Sequence, residues 1–342
     1  MTIKEILPED KKFSVHTFML TKAVQDNSFY NFHDINLQGI HISITNTNKY
    51  RYFRVEVNPH LLITDNPTKD DYIKIFTYSE ENIRILKYKI NEILNRINLD
   101  INDMTLSRID LCVNKYFEDE KITKTYLKLL KKLSYNKTYR LNEFTCQYSD
   151  YKEMNKNSVR IQNGQRNITV YNKIFQQKQQ NYLKDDPETI LRFEVALFRH
   201  DIYNTYQKPL GINNPIELFS YITRRSSEII GKYILNLNLN LKYVKASALY
   251  SIIYSADFYK NTKDMMFTLV ETLKHSKNIN TALDNMDILT CEQQKKRLLH
   301  KFNELSISPV TINNKSAFNE LPSLYEVLFY SEKCYSSNKK QI

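Results

Sequence analysis

Three stretches of this chain, at 107–114, 167–173 and 191–198, alternate aliphatic and polar side chains with a period of two. That period fits a β-strand with one buried face. In the first stretch Ile109, Leu111 and Val113 form the aliphatic set, opposite Arg108, Asp110, Cys112 and Asn114. In the second, Ile168 and Val170 oppose Asn167, Thr169, Tyr171 and Lys173. In the third, Leu191, Phe193, Val195 and Leu197 oppose Arg192, Glu194, Ala196 and Phe198. Any one of these polar faces reads as the wet side of an antiparallel sheet. Together, with the Arg-x-acid pattern occurring at 108–110 and again at 192–194, they read as a chemical surface. On one shared sheet it would carry two carboxylates, two guanidiniums, a phenol and an ammonium.

The surrounding pattern sets these strands in an α+β domain. Residues 39–44 and 52–57 alternate likewise and are expected to form a hairpin. Ser79 opens a helix with Ile83, Leu86, Ile90, Ile93 and Ile97 on one side, and a second helix is expected over 121–133. Asn163-Gly164 joins 158–162 to 165–173 as a tight hairpin, and 189–199 is the last strong strand. After Gly211 the pattern turns helical, beginning at the N-cap and N1 pair Asn214-Pro215. Thr290 and Gln293 have capping-box spacing for a helix from Cys291 to about Leu305. The expected organisation is an antiparallel-sheet catalytic domain with packed helices over 1–210 and a helical C-terminal region over 211–335. A frayed tail is expected over 336–342.

Composition narrows the partners. The net charge is +11 and the pI about 9.2, which suits a polyanion. Between Lys152 and Lys184 the charged residues are Lys152, Glu153, Lys156, Arg160, Arg166, Lys173, Lys178 and Lys184, interspersed with Tyr148, Tyr151, Phe175 and Tyr182. Cations with aromatic rings are what a single-stranded nucleic acid groove uses. Lys295, Lys296, Arg297, His300 and Lys301 line a second basic face, which could lie across duplex phosphates. The cysteines, Cys112, Cys146, Cys291 and Cys334, form no C-x-x-C pair, so they read as free thiols in a reducing compartment. A charged N-terminus and the lack of a long apolar run lead to the expectation of a cytoplasmic protein with no membrane span.

The chemistry that fits the three strands is phosphodiester transfer. Asp110 and Glu194 are hard oxygen ligands for Mg²⁺ or Mn²⁺. Tyr171 would be the nucleophile. Lys173, expected on the same strand face, would lower the tyrosine pKa or protonate the leaving oxygen. Arg108 and Arg192 would hold phosphates or orient the acids. Glu56 is the third-ligand candidate, and His41, alone on its strand, is read as structural. Non-catalytic DNA binding by a replication regulator, and water-mediated hydrolysis, are the alternatives.

At these residues the chain resembles a known family. Leu106-Ser107-Arg108-Ile109-Asp110-Leu111 is similar to the RxD strand of rolling-circle replication initiators. Thr169-Val170-Tyr171-Asn172-Lys173 resembles their YxK segment, and Leu191-Arg192-Phe193-Glu194-Val195 their RxE strand. The order is that of the phage and plasmid proteins of the gene II and gene X type and of the Rep_trans group, and it covers 106–203. The resemblance implies nicking of single-stranded origin DNA, a 5′-phosphotyrosine, a divalent metal, and host helicase and polymerase as further partners. It places Tyr171 as nucleophile, Asp110 and Glu194 at the metal and Lys173 beside the tyrosine. A mobilisation relaxase would share the chemistry. No His-hydrophobe-His motif and no second tyrosine at short helical spacing from Tyr171 is present.

Overall fold

The computed structural model describes residues 13–24, 33–46, 51–133, 140–143, 151–163, 166–179 and 189–330. Cys146, Cys334, Tyr148, Tyr182, Lys184, Gly164 and the expected tail over 336–342 lie outside them. The class is α+β. Its sheet is built from β1 (Phe13–Ala23), β2 (Ile35–Leu37), β3 (Ile40–Asn46), β4 (Arg51–Val57), β5 (Thr105–Phe117), β6 (Arg140–Asn142), β7 (Ser158–Asn163), β8 (Arg166–Asn172) and β9 (Thr189–Phe198). They pair antiparallel in the order β2-β3-β4-β1-β5-β9-β8-β7-β6.

Helices α1 (Pro59–Ile63), α2 (Glu80–Asn95), α3 (Glu120–Lys132), α4 (Tyr151–Lys156) and α5 (Lys173–Gln179) interleave with the strands. Then follow α6 (Arg199–Ile202), α7 (Lys208–Leu210), α8 (Pro215–Arg224), α9 (Ser226–Asn236), α10 (Ala246–Ser255), α11 (Lys260–His275), α12 (Ile279–Asp284), α13 (Glu292–Glu304) and α14 (Leu324–Phe329). The caps follow side-chain chemistry. Ser79 accepts from Asn82 N at the start of α2, and Asn214 accepts from Ile216 N and Glu217 N ahead of Pro215. At α13 the expected capping box does not form. Cys291 is the N-cap, and Thr290 bonds Gln294 rather than Gln293 through both its amide and its hydroxyl. None of the described helices is long and apolar enough to cross a membrane.

One hydrophobic core crosses the change of character near residue 210. The aliphatic sets of β5, β8 and β9 join Val15, Phe18 and Leu20 of β1 beneath α8, α9, α3 and α14. The rings of Phe18 and Phe219 lie 4.4 Å apart, and those of Phe13 and Phe329 4.5 Å apart. Burying each such side chain contributes about 2 kcal/mol.

Strand β1 sits at the centre of the sheet yet shows no clean alternation in sequence. Its core-facing apolar residues are Phe13, Val15, Phe18 and Leu20, so the period of two slips between 15 and 18. The slip is a β-bulge. Val15 pairs with Leu111 and Thr17 with Asp110, so His16 has no partner of its own across β5. Gly39, at φ +74° in the turn between β2 and β3, approaches the α1 backbone so closely that a Cβ would lie 2.4 Å from Leu62 N.

Candidate active site

The pairing of β1, β5, β9 and β8 arranges the polar face in rows. Asn114, Arg192 and Tyr171 form one row, Ser14, Cys112, Glu194 and Thr169 the next, and Thr17, Asp110, Ala196 and Asn167 a third. Tyr171 and Asp110 thus lie on opposite diagonals from Glu194. The Tyr171 hydroxyl donates to Glu194 Oε2 at 3.1 Å. On the other side, His16 Nδ1 lies 3.4 Å from the same oxygen. Asp110 is held by both of its oxygens. Arg108 Nε donates to Oδ1 at 2.8 Å and Thr17 Oγ1 to Oδ2 at 2.5 Å. Tyr171, Glu194, Asp110, His16, Thr17 and Arg108 line one cleft of about 290 Å³.

The face expected to be wet is mostly buried. Arg192 is 0% exposed, Cys112 0%, Asp110 3% and Tyr171 7%. The segment around Ile73 covers the Arg192 end, where Arg192 Nη2 donates to Ile73 O and Arg192 Nε to Asn114 Oδ1. Contrary to the sequence expectation, Arg192 therefore cannot grip a phosphate from solvent; it sits beneath the site as a fixed cation. Arg108, about one-third exposed, keeps its guanidinium at the rim while orienting Asp110.

Lys173 also departs from expectation. The strand ends at Asn172, and Lys173 is the first residue of α5 rather than a member of the strand face. Its ammonium is buried and donates to Gln176 Oε1 at 2.9 Å. Burial, then the charge of Arg192, lowers its pKa to about 7. Glu56 lies at the rim on β4, two strands from Asp110, with Oε2 bonded to Arg54 Nη2 at 2.8 Å. His41 hydrogen-bonds Asn36 Oδ1 through Nδ1 at 2.6 Å.

His16 is the group that the sequence reading missed. The bulge turns both His16 and Thr17 toward the cleft. The signal was there, a polar His-Thr pair splitting two aliphatic runs one residue out of phase.

Burial dominates the electrostatics. It lowers His16 to about 4, with Arg192 adding to the effect, so the imidazole is neutral near pH 7. With its proton on Nδ1 it donates to Glu194 and keeps the Nε2 lone pair for another ligand. Burial disfavours the Glu194 carboxylate, but His16, Arg192 and Lys173 outweigh it and hold Glu194 ionised. Asp110 moves the other way, raised by burial and then by the charge of Glu194. The Tyr171 phenol is pushed well above its ordinary 10, by burial and then by Glu194. Lys173 does not bring it down.

Among the described residues, no three His, Cys, Asp or Glu side chains form a ready-made metal cluster. The donor types nevertheless fit a divalent cation. Asp110 and Glu194 repel each other across the cleft, and Mg²⁺ is commonly held by one or two carboxylates plus substrate phosphate.

The buried ammonium has a measurable consequence. Lys173 loses its proton near pH 7 when folded but near 10.5 when unfolded. Between these values the unfolded chain binds more protons, so this group destabilises the fold fully below pH 7 and progressively less up to 10.5. Lys173→Met is expected to unfold at a higher temperature than the parent at pH 7, the gap closing as pH approaches 10. A gap independent of pH in parallel thermal melts would show that the ammonium is solvated.

No family model and no curated protein matches this chain. Among solved structures, it is similar to the rolling circle replication initiator protein from Geobacillus stearothermophilus. The identity is 10% and the TM-score 0.33, over 66% of this chain and 85% of that one. A likeness of that size decides nothing about this chain, whose functional reading rests on its own cleft.

Proposed function

We propose that this protein is a replication initiator that cleaves single-stranded DNA by attack of Tyr171 on a phosphodiester. The observation that carries the reading is the Tyr171 hydroxyl at 3.1 Å from the Glu194 carboxylate, in a cleft that Asp110 and His16 also line. In the step, Tyr171 Oη forms a bond to phosphorus and the bond from phosphorus to the 3′ oxygen breaks. The phenolic proton passes to Glu194 Oε2, and the 3′ oxygen takes a proton from water in the open cleft. A 5′-phosphotyrosine and a 3′-hydroxyl result.

Since the phenol is protonated at rest, proton loss has to accompany attack, which gives Glu194 the role of general base. His16 holds that carboxylate in place through Nδ1. Arg192 and Lys173 supply buried positive charge beneath it. Asp110, Glu194 and His16 Nε2 are the groups that would hold Mg²⁺ or Mn²⁺, whose charge would stabilise the phosphorane-like transition state.

The test is direct. The protein is incubated with 5′- or 3′-labelled single-stranded oligonucleotides from its own replicon, with Mn²⁺ or with chelator, and run on denaturing gels. The label on the fragment 3′ of the cut is expected to migrate with protein, and to be lost with chelator. Cleavage with no protein-bound label would assign the cleft to water-mediated hydrolysis. Salt-sensitive binding without cleavage would make the protein a DNA-binding regulator.

A further inference from the structure

Much of the charge in the two basic segments that stand out in the sequence is paired or buried, although Lys152, Lys178, Lys296 and Arg297 stay exposed. In the stretch from 152 to 184, Arg166 is spent on Asp201 at 2.6 Å, Lys156 on Glu153 at 2.5 Å, and Lys173 is buried. On α13, Lys295 pairs with Asp284, and Lys301 with Glu304 at 2.7 Å. A continuous lysine face lies on α3. Lys121, Lys124, Lys128 and Lys132 recur at helical spacing along one face, while Ile122, Tyr126, Leu129 and Leu130 bury the other. Lys121, Lys124 and Lys128 are exposed.

This lysine face is one wall of a groove of about 830 Å³, whose other wall is residues 310–318 of the C-terminal region. Among the described residues, six lysines line the groove, the four on α3 with Lys274 and Lys315, and no aspartate or glutamate does. Lys124 is matched by Glu120 at 2.6 Å and Lys274 by Glu271 at 2.7 Å. Lys121, Lys128 and Lys315 have no acidic partner among the described residues. A solvated helix face could carry such charge, but the groove is also continuous with the catalytic cleft. Asn157 and Phe175 line both that cleft and a pocket of about 470 Å³ beside it. Lys124 and Lys128 line both that pocket and the groove. In the middle pocket Glu153 and Glu120 are already neutralised by Lys156 and Lys124. Half-buried Phe175 near the cleft and Phe318 in the groove offer ring faces to bases.

We propose that a single strand of DNA leaving the Tyr171 cleft passes Phe175, follows the lysine face of α3 and lies in the groove closed by residues 310–318. The C-terminal region is then part of the strand's path. The identity of the ligand rests on the nuclease reading; the location of the path rests on charge and continuity alone. From Lys121 to Lys132 the helix rises about 16 Å, room for a few nucleotides.

The experiment separates the two claims. Fluorescence anisotropy of labelled oligo-dT is measured in chelator on a Tyr171→Phe background, so that no chemistry enters. The triple variant Lys121→Ala, Lys128→Ala, Lys315→Ala is expected to bind a ~20-nucleotide strand about tenfold more weakly. The slope of log affinity against log salt is expected to fall by about 2, at ~0.7 for each phosphate that is no longer neutralised. A ~4-nucleotide strand that fills only the cleft is expected to bind both proteins alike. A control triple at exposed lysines outside these pockets, Lys69→Ala, Lys208→Ala and Lys260→Ala, is expected to change the slope little. An unchanged slope in the groove variant overturns the path, as does an equal loss in the control. Poly-glutamate bound as tightly, with the same dependence on these lysines, would make the groove a site for an acidic protein. Failure of the adduct assay with success here would leave the path and remove only the chemistry.

Discussion

Tyr171→Phe is expected to abolish the protein–DNA adduct, by on the order of 10³-fold or more, while affinity for the same oligonucleotide changes less than about threefold. The substitution removes one oxygen and nothing that shapes the cleft. Among the described residues, the hydroxyl has one hydrogen-bonded neighbour that can take its proton, Glu194 Oε2 at 3.1 Å. Losing that hydrogen bond costs about 1 kcal/mol of stability, because Glu194 keeps its contact with His16. A melt close to that of the parent would therefore accompany the chemical loss. Persistence of the adduct in this variant would pass the nucleophilic role to another residue and remove the central claim about this cleft.

Arg192→Met is expected to be the most destabilising single change at the site, by about 3–5 kcal/mol. The guanidinium is fully buried. It holds Asn114 Oδ1 at 2.7 Å and Ile73 O at 2.5 Å, which ties the covering segment to the sheet. It is also the cross-strand partner of Tyr171 and one of the charges that keep Glu194 ionised. Its removal leaves Asn114 Oδ1 unmet, leaves Ile73 O with only the longer bond from Asn114 Nδ2 at 3.2 Å, and leaves a buried carboxylate less compensated. Arg192→Lys is expected to rescue little, because an ammonium cannot reproduce the planar fork that reaches both acceptors. Thermal unfolding followed by circular dichroism should show a fall of at least about 5 °C in both variants. A fall below about 1 °C would mean that the hydrogen bonds made by Nε and Nη2 do not hold the covering segment in place.

Much of the site is visible in the linear pattern. Asp110, Tyr171 and Glu194 each sit at the polar phase of a strand whose aliphatic phase is unambiguous, and all three share one sheet face in the structure. The misreadings share a cause. Lys173 continues the alternation on paper, but the chain turns helical at that residue, where Asn172 Oδ1 accepts from Phe175 N. His16 escapes notice because a bulge breaks the period on which strand recognition depends. Arg192 has the same sequence neighbourhood as an exposed strand arginine. Its burial comes from Ile73, more than a hundred residues away.

Side-chain alternation is a property of an extended backbone and needs no partner, so the sequence alone determined which residues of β5, β8 and β9 face the core and which face the cleft. It also determined the excess of positive charge, through its lysines. Strand order, register and covering segments depend on contacts between residues far apart in the chain, which no local period encodes. Only the tertiary structure could decide that Tyr171 meets Glu194, that His16 joins them, that Arg192 is sealed beneath, and that the α3 lysines and Lys315 line a groove continuous with that cleft.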